Sequence, residues 1–328
     1  MSSTNQPIRR KLQFAGNSSY VLTLPKSWIR LVKLDKNSEV VIDELPDKTL
    51  RISPSQEVKA KPKNTEITLN VKENDSSDEI IRLILASYLA SKNKIILQTE
   101  KKPFKPAMVL AINEVIQKLW GAEIIESTSN QIIIHDALDP KQLQLNEIIR
   151  KSWDTARYMF ETALGSIFEH DQASAELVVN NEKTLDKLYY LALRQLYYAS
   201  SHMLFSAEIG IDPSEIIDYH LLIKNIERIG DHCEQIVSTY DAEITNKDEL
   251  EEVANMSKTA CEEAIQSFLK MDSELAQSAT SQKEIINDKV DSIKSTPAEF
   301  NLIKSILRIA DYASDIGELT INRLIANY

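Results

Sequence analysis

The rhythm of apolar and polar positions changes twice along this chain. In residues 8–14, Ile8, Leu12 and Phe14 share one face, while Arg9, Lys11 and Gln13 share the other. That period of two predicts a strand. The run Gly16-Asn17-Ser18-Ser19 supplies turn residues, and Tyr20, Leu22 and Leu24 mark a second strand. Pro25 opens a short helix, with Trp28, Leu31 and Val32 on an apolar stripe and Lys26, Arg30 and Lys33 on another. Residues 39–44 and 49–53 read as a closing hairpin. The order is ββαββ in about 50 residues, too small a unit to be stable alone, so dimerisation through it is expected.

From residue 64 to 138 strand-like runs (65–71, 93–99, 122–128 and 131–137) alternate with helical ones. The helices are 76–91, with Ser77 as N-cap, and 104–120. This βαβαββ order predicts a small α+β domain. His135, at a strand end, reads as structural. Beyond residue 141 the period becomes 3.6, beginning with Leu145, Ile148, Ile149, Trp153 and Ala156. Helices are predicted over 142–169, 172–206, 213–240, 248–271, 273–293 and 298–326, in two sets of three. The predicted domains are 1–54, 55–140 and 141–328, the last holding repeats 141–242 and 248–328.

The repeat is visible in the sequence itself. Residues 224–236, KNIERIGDHCEQI, align with 304–316, KSILRIADYASDI. Lys224, Arg228, Ile229, Asp231 and Ile236 fall on Lys304, Arg308, Ile309, Asp311 and Ile316. Earlier in each half, Asp186 pairs with Asp291.

Charge sharpens this division. The net charge is −11 over 328 residues. Residues 1–51 hold nine Lys and Arg against five Asp and Glu, a balance of +4. Residues 52–140 come to −1 and residues 141–328 to −14. A basic head suits phosphates, and an acidic body suits cations. In the body, Glu227, Asp231 and Glu234 stand at i, i+4 and i+7, and so do Asp311, Asp315 and Glu318. Glu182 and Asp186 add a further i, i+4 pair. Stacked like charges repel, so each stripe is either a solvated face or a cation site, since hard cations take carboxylate oxygens.

Other chemistries find no support. With six glycines, the chain has neither GxGxxG nor GxxxxGK[ST]. His170, His202, His220 and His232 form no metal or triad grouping, and no nucleophile accompanies the carboxylates. The reading is therefore not an enzyme, with no catalytic residues. Cys233 and Cys261 make no disulfide framework. No apolar run approaches the roughly 18 residues of a membrane span, and MSSTNQPIRRK lacks a secretory h-region. A cytoplasmic protein without membrane insertion is expected.

Two resemblances follow from these residues. The run RRKLQFAGNSSYVLTLPKSWIRLVKLDKNSEVVI resembles the SpoVT-AbrB domain, through Gly16, Thr23-Leu24-Pro25-Lys26 and Trp28. The resemblance implies a swapped-hairpin homodimer that binds DNA, although the glycine usual near Asn37 is missing. Arg9, Arg10, Lys11, Lys26 and Arg30 are then the expected phosphate contacts. Residues 141–328 resemble PhoU, whose two three-helix repeats carry ExxxD motifs that hold metal ions in some members. Glu227 and Asp231 fit that motif. In the second copy Leu307 replaces the glutamate and only Asp311 aligns.

The combination resembles archaeal PhoU-like phosphate uptake regulators with an AbrB head. It implies divalent or ferric metal ions as cofactor, held by Glu227 and Asp231 with Asp311, Asp315, Glu182 and Asp186 behind them. It also implies a transcriptional or signalling regulator of phosphate uptake, with phosphate transporter or sensor proteins as further partners. The alternative is a regulator that works by protein contact alone and uses its head only to dimerise.

Overall fold

The structure, a computed structural model, describes residues 8–16, 19–44, 48–55, 65–100, 102–138, 143–238, 241 and 243–326. It divides into two compact units, Met1–Asn64 and Thr65–Tyr328.

In the first unit β1 (Gln13–Ala15) pairs antiparallel with β2 (Ser19–Val21), and β3 (Val40–Glu44) with β4 (Leu50–Pro54). Gly16 sits at φ +69° after β1, a conformation that favours glycine. The expected strand over 8–14 is thus much shorter. Residues 8–12 have no ladder partner among the described residues, because β2 ends at Val21, opposite Gln13. Helix α1 (Lys26–Leu31) starts after Pro25, which serves as N-cap. The helix closes when Leu34 N–H donates to the Ile29 carbonyl at 3.0 Å and Lys33 turns left-handed at φ 55°. Lys33 therefore leaves the stripe it was expected to share with Lys26 and Arg30. Asn37 does not need the glycine: it has no positive φ, and Asp35 Oδ1 holds the turn by accepting the Asn37 N–H and the Ser38 hydroxyl, each at 2.9 Å.

The second unit begins with a four-stranded sheet in the order β5-β6-β8-β7: β5 (Glu66–Val71), β6 (Lys94–Thr99), β7 (Ala122–Ser127) and β8 (Gln131–Asp136). Strands β5 and β6 run parallel, joined by α2 (Ser77–Leu89), and the other pairings are antiparallel. The α2 cap is Ser76, one residue before the expected Ser77, because only Ser76 has Glu79 three residues on to complete a capping box. Helix α3 (Pro106–Gln117) covers the sheet with α2. Ile80, Ile84, Leu97, Ile112, Ile132 and Ile134 form the core between them.

The remainder is helical: α4 (Leu145–Glu169), α5 (Gln172–Ser201), α6 (Met203–Glu208), α7 (Ile216–Val237), α8 (Lys247–Lys270), α9 (Ser273–Asp291) and α10 (Pro297–Ala326). The helix expected over 172–206 breaks at His202, whose backbone leaves the helical region (φ −136°, ψ 85°) while its ring stacks on Tyr198 at 3.9 Å. The segment expected from 213 opens as a 3-10 turn, Pro213–Glu215, capped by Asp212. Helices α4, α5 and α7 form one bundle and α8, α9 and α10 the other, and α7 packs on α10. One core runs through both, with Ile226, Ile229, Ile306 and Ile309 fully buried. Close approach has a sequence cause: a Cβ on Gly317 would lie 2.8 Å from the Ala276 carbonyl oxygen of α9.

The α+β part is fixed to α5 by buried polar contacts. Arg194 and Asp136 form an ion pair, both almost fully buried. The Arg194 guanidinium also lies 4.7 Å over the Tyr88 ring. Gln195 Nε2 donates at 2.6 Å to the carbonyl of Leu143, in the connection that leads from this part into α4.

Candidate functional site

All five expected phosphate contacts lie exposed in the first unit. Lys26 and Arg30 are one turn apart on α1 and point the same way. Arg9, Arg10 and Lys11 lie just before β1 on a segment without ladder bonds. The apolar residues beside them are exposed too. Phe14 and Tyr20 meet edge to face at 5.0 Å yet remain 62% and 67% exposed, and Leu31 is 80% exposed. Among the described residues of this unit Pro54 alone is buried. This is a charged surface beside an uncovered apolar face.

The acidic residues of the helical bundles meet a different setting. Glu227 and Asp231 lie half-buried on α7, and Glu234 is exposed. The sequence makes their repulsion plain, but it also supplies its remedy on the same helix. Lys224 Nζ donates to Glu227 at 2.7 Å, and Arg228 Nη1 to Asp231 at 3.4 Å. Burial still raises the Glu227 carboxyl above its ordinary range, opposed first by the Lys224 hydrogen bond. From α5, Asp186 is buried and accepts from Lys118 Nζ at 2.6 Å. Lys118 is the residue that caps α3. Glu182 is pushed up to about 7, by burial and then by the charge of Asp186, against the opposing charge of Lys118.

The second repeat reproduces part of this arrangement. Arg308 donates to Asp311 at 2.7 Å, as Arg228 does to Asp231. Lys283 of α9 reaches Asp311 at 2.8 Å. Leu307, in the place of Glu227, packs on the core. Asp315 and Glu318 are exposed. His232 turns away from the carboxylates: its Nδ1 lies 3.5 Å from Ser305 Oγ on α10.

The donor chemistry is right for a hard cation, but the arrangement is not. Glu227, Asp231, Asp186 and Asp311 each meet an ammonium or guanidinium. Among the described residues no three His, Cys, Asp or Glu side chains converge to hold a metal ion. As placed, these residues do not fit one. Lys118 and Lys283 escaped the sequence reading because each approaches from a different element. Lys224 and Arg228 were visible at i−3 and i+1 of Glu227, and the pattern shared with Lys304 and Arg308 was the available signal.

Comparison with known proteins places this geometry. Residues 149–239, spanning the first bundle, match the PhoU domain. Residues 13–60 match the family described as antidote-toxin recognition MazE, bacterial antitoxin. The fold and these matches define a multidomain chain with a small β head, an α+β middle and an all-helical body. Its first helical bundle is similar to the PhoU domain and its head to the MazE family. Among solved structures, the chain is similar to the phosphate transport system regulatory protein PhoU from Streptococcus pneumoniae, at 17% identity and TM-score 0.45, over 57% of this chain and 98% of that one. It is similar also to PhoU from Pseudomonas aeruginosa, at 14% identity and TM-score 0.41, over 56% and 96%. No curated protein matches. No described helix is long and apolar enough to cross a membrane.

Proposed function

We propose that this chain regulates phosphate uptake by binding DNA through its basic head, with the helical body supplying the response. The PhoU match supports the regulatory role, and the MazE match supports DNA as the head's partner. The observation that carries the reading is the head's surface. Arg9, Arg10, Lys11, Lys26 and Arg30 are all exposed there, and among the described residues of the unit only Pro54 is buried. Cations on a surface with an uncovered apolar face beside them suit a pair of heads gripping one duplex, because two-fold symmetry doubles the phosphate contacts.

The test is fluorescence anisotropy of the full-length chain on duplex DNA from its own promoter region, across a salt series. Binding should weaken steeply with salt. Arg10→Ala/Lys11→Ala should weaken it further and reduce the salt slope by roughly two per protomer. Absence of binding at low salt would overturn the reading in favour of a regulator that touches a transporter or sensor protein. Elemental analysis of the purified chain beside Glu227→Ala/Asp231→Ala tests metal binding separately. Equal metal content in the two would remove both residues from any such site.

A further inference from the structure

We infer that the α+β domain holds a binding site for a small organic anion, at the carboxyl ends of strands β5 and β6. This goes beyond the DNA reading and does not depend on it. The two strands form a parallel βαβ unit in which Val71 and Thr99 are register partners at the ends. Both chains then turn outward into helices. Beyond those ends lies a hollow that the core does not fill. Here the hollow is a cavity of about 570 Å³, within the range of small-molecule sites.

The lining favours an anion with an apolar body. Val71, Phe104 and Met108 line it as buried apolar residues. Lys72, Lys102 and Lys105 stand at its rim, Lys102 paired with Glu73 and Lys105 bonded to the Glu73 carbonyl, so that the Lys72 ammonium is the one left to a ligand; Asn70 and Asn74 add amides. Three carboxylates also lie there, but two are engaged by the protein. Asp75 accepts the Lys72 backbone N–H at 2.8 Å, and Glu73 pairs with Lys102 while its carbonyl accepts from Lys105 Nζ at 3.0 Å. Glu100 is exposed. Lys72 Nζ has no carboxylate within ion-pair distance among the described residues.

One further observation bears on the ligand. The first turn of α3 begins at the cavity, where its N-cap Lys105 gives no side-chain cap. The α2 terminus is closed by its own Ser76–Glu79 box. At this end Pro106 has no N–H and the Met108 N–H donates to the Lys105 carbonyl at 2.9 Å, so the helix adds the positive end of its dipole rather than a set of free donors.

The experiment uses the full chain and the fluorescent sulfonate 8-anilinonaphthalene-1-sulfonate, an organic anion with an apolar ring system. A saturable site should appear in fluorescence titration. Lys72→Glu/Lys105→Glu, at two exposed positions, should weaken that site at least tenfold. Lys105→Arg should keep binding within about threefold, since it retains the charge. A parent chain without a saturable site, or a Lys72→Glu/Lys105→Glu chain that binds as the parent does, overturns the inference.

Discussion

The head and the helical body use the same apolar residue types and end in opposite states. In the body, Ile148, Ile226, Ile306 and Ile309 are buried to 1% or less. In the head, Phe14, Tyr20, Leu31 and Ile42 are each more than half exposed. The difference lies in what each element finds to lean on. An amphipathic helix buries its stripe against other helices of the same chain, at about 25 cal/mol for each Å² removed from water. The two ribbons of the head have no second layer within the described residues. The body therefore carries its stability internally, while the described residues of the head leave their apolar side chains in solvent.

That contrast predicts where substitutions will hurt. The largest effect belongs to Arg194. Arg194→Ala leaves the Asp136 carboxylate buried without its counter-charge, which should cost about 3–5 kcal/mol in urea unfolding. Arg194→Met/Asp136→Leu should regain most of that. A cost for Arg194→Ala under about 1 kcal/mol would break the idea that the α+β part is locked to α5 through this pair.

Next comes Glu299 in the first turn of α10, which ties that turn to the connection before α8. Its carboxylate accepts the N–H of Thr245, Asn246 and Thr296 at 2.7–2.8 Å. Burial alone would raise its pKa, but those N–H groups outweigh it and bring it down to about 2 from 4.5. A depressed carboxyl gives stability that is fully present above the unfolded value and lost as pH falls through the folded one. Stability should therefore decline between pH about 4.5 and about 2. Glu299→Gln should cost about 2 kcal/mol at neutral pH and flatten that decline. An unchanged acid limb in Glu299→Gln would show that other carboxylates control it.

Lys118→Ala should cost about 1 kcal/mol, since its half-exposed ammonium makes a pair of the weaker kind. Its sharper signature is electrostatic. Lys118 opposes the rise of the Glu182 carboxyl, so its removal should move Glu182 above about 7 in a carboxyl-carbon NMR titration. A titration point that stays put would mean that Lys118 does not share a site with Glu182.

Much of the body was legible in the sequence, because helical period and short connections specify a bundle with little ambiguity. The six long segments lie within a few residues of their expected ends, and the break at His202 hung on one side chain stacking over Tyr198. In the head, alternation marked residues 8–14 as strand-like, but ladders need partners, and no pattern states that β2 stops at Val21. The candidate sites divide in the same way. The carboxylate stripes could be read from spacing along α7 and α10. The lysines that meet Asp186 and Asp311 could not, because Lys118 and Lys283 come from other elements. Nor did composition reveal the hollow beyond β5 and β6, which exists only once two distant strands lie side by side.

The smallest effect on unfolding should come from the head itself. Phe14→Ser/Leu31→Ser changes two exposed side chains, so urea unfolding of the body should move by less than about 0.5 kcal/mol. In sedimentation velocity the same chain should lose its dimer, if the apolar face is what a second copy covers. DNA affinity should fall with it, because two tethered heads hold phosphates better than one. Arg10→Ala/Lys11→Ala separates the two roles: it should weaken DNA binding and leave the dimer intact. A parent chain that sediments as a monomer at tens of micromolar would break the contrast at its root, because the head would then keep its shape with its apolar face in water.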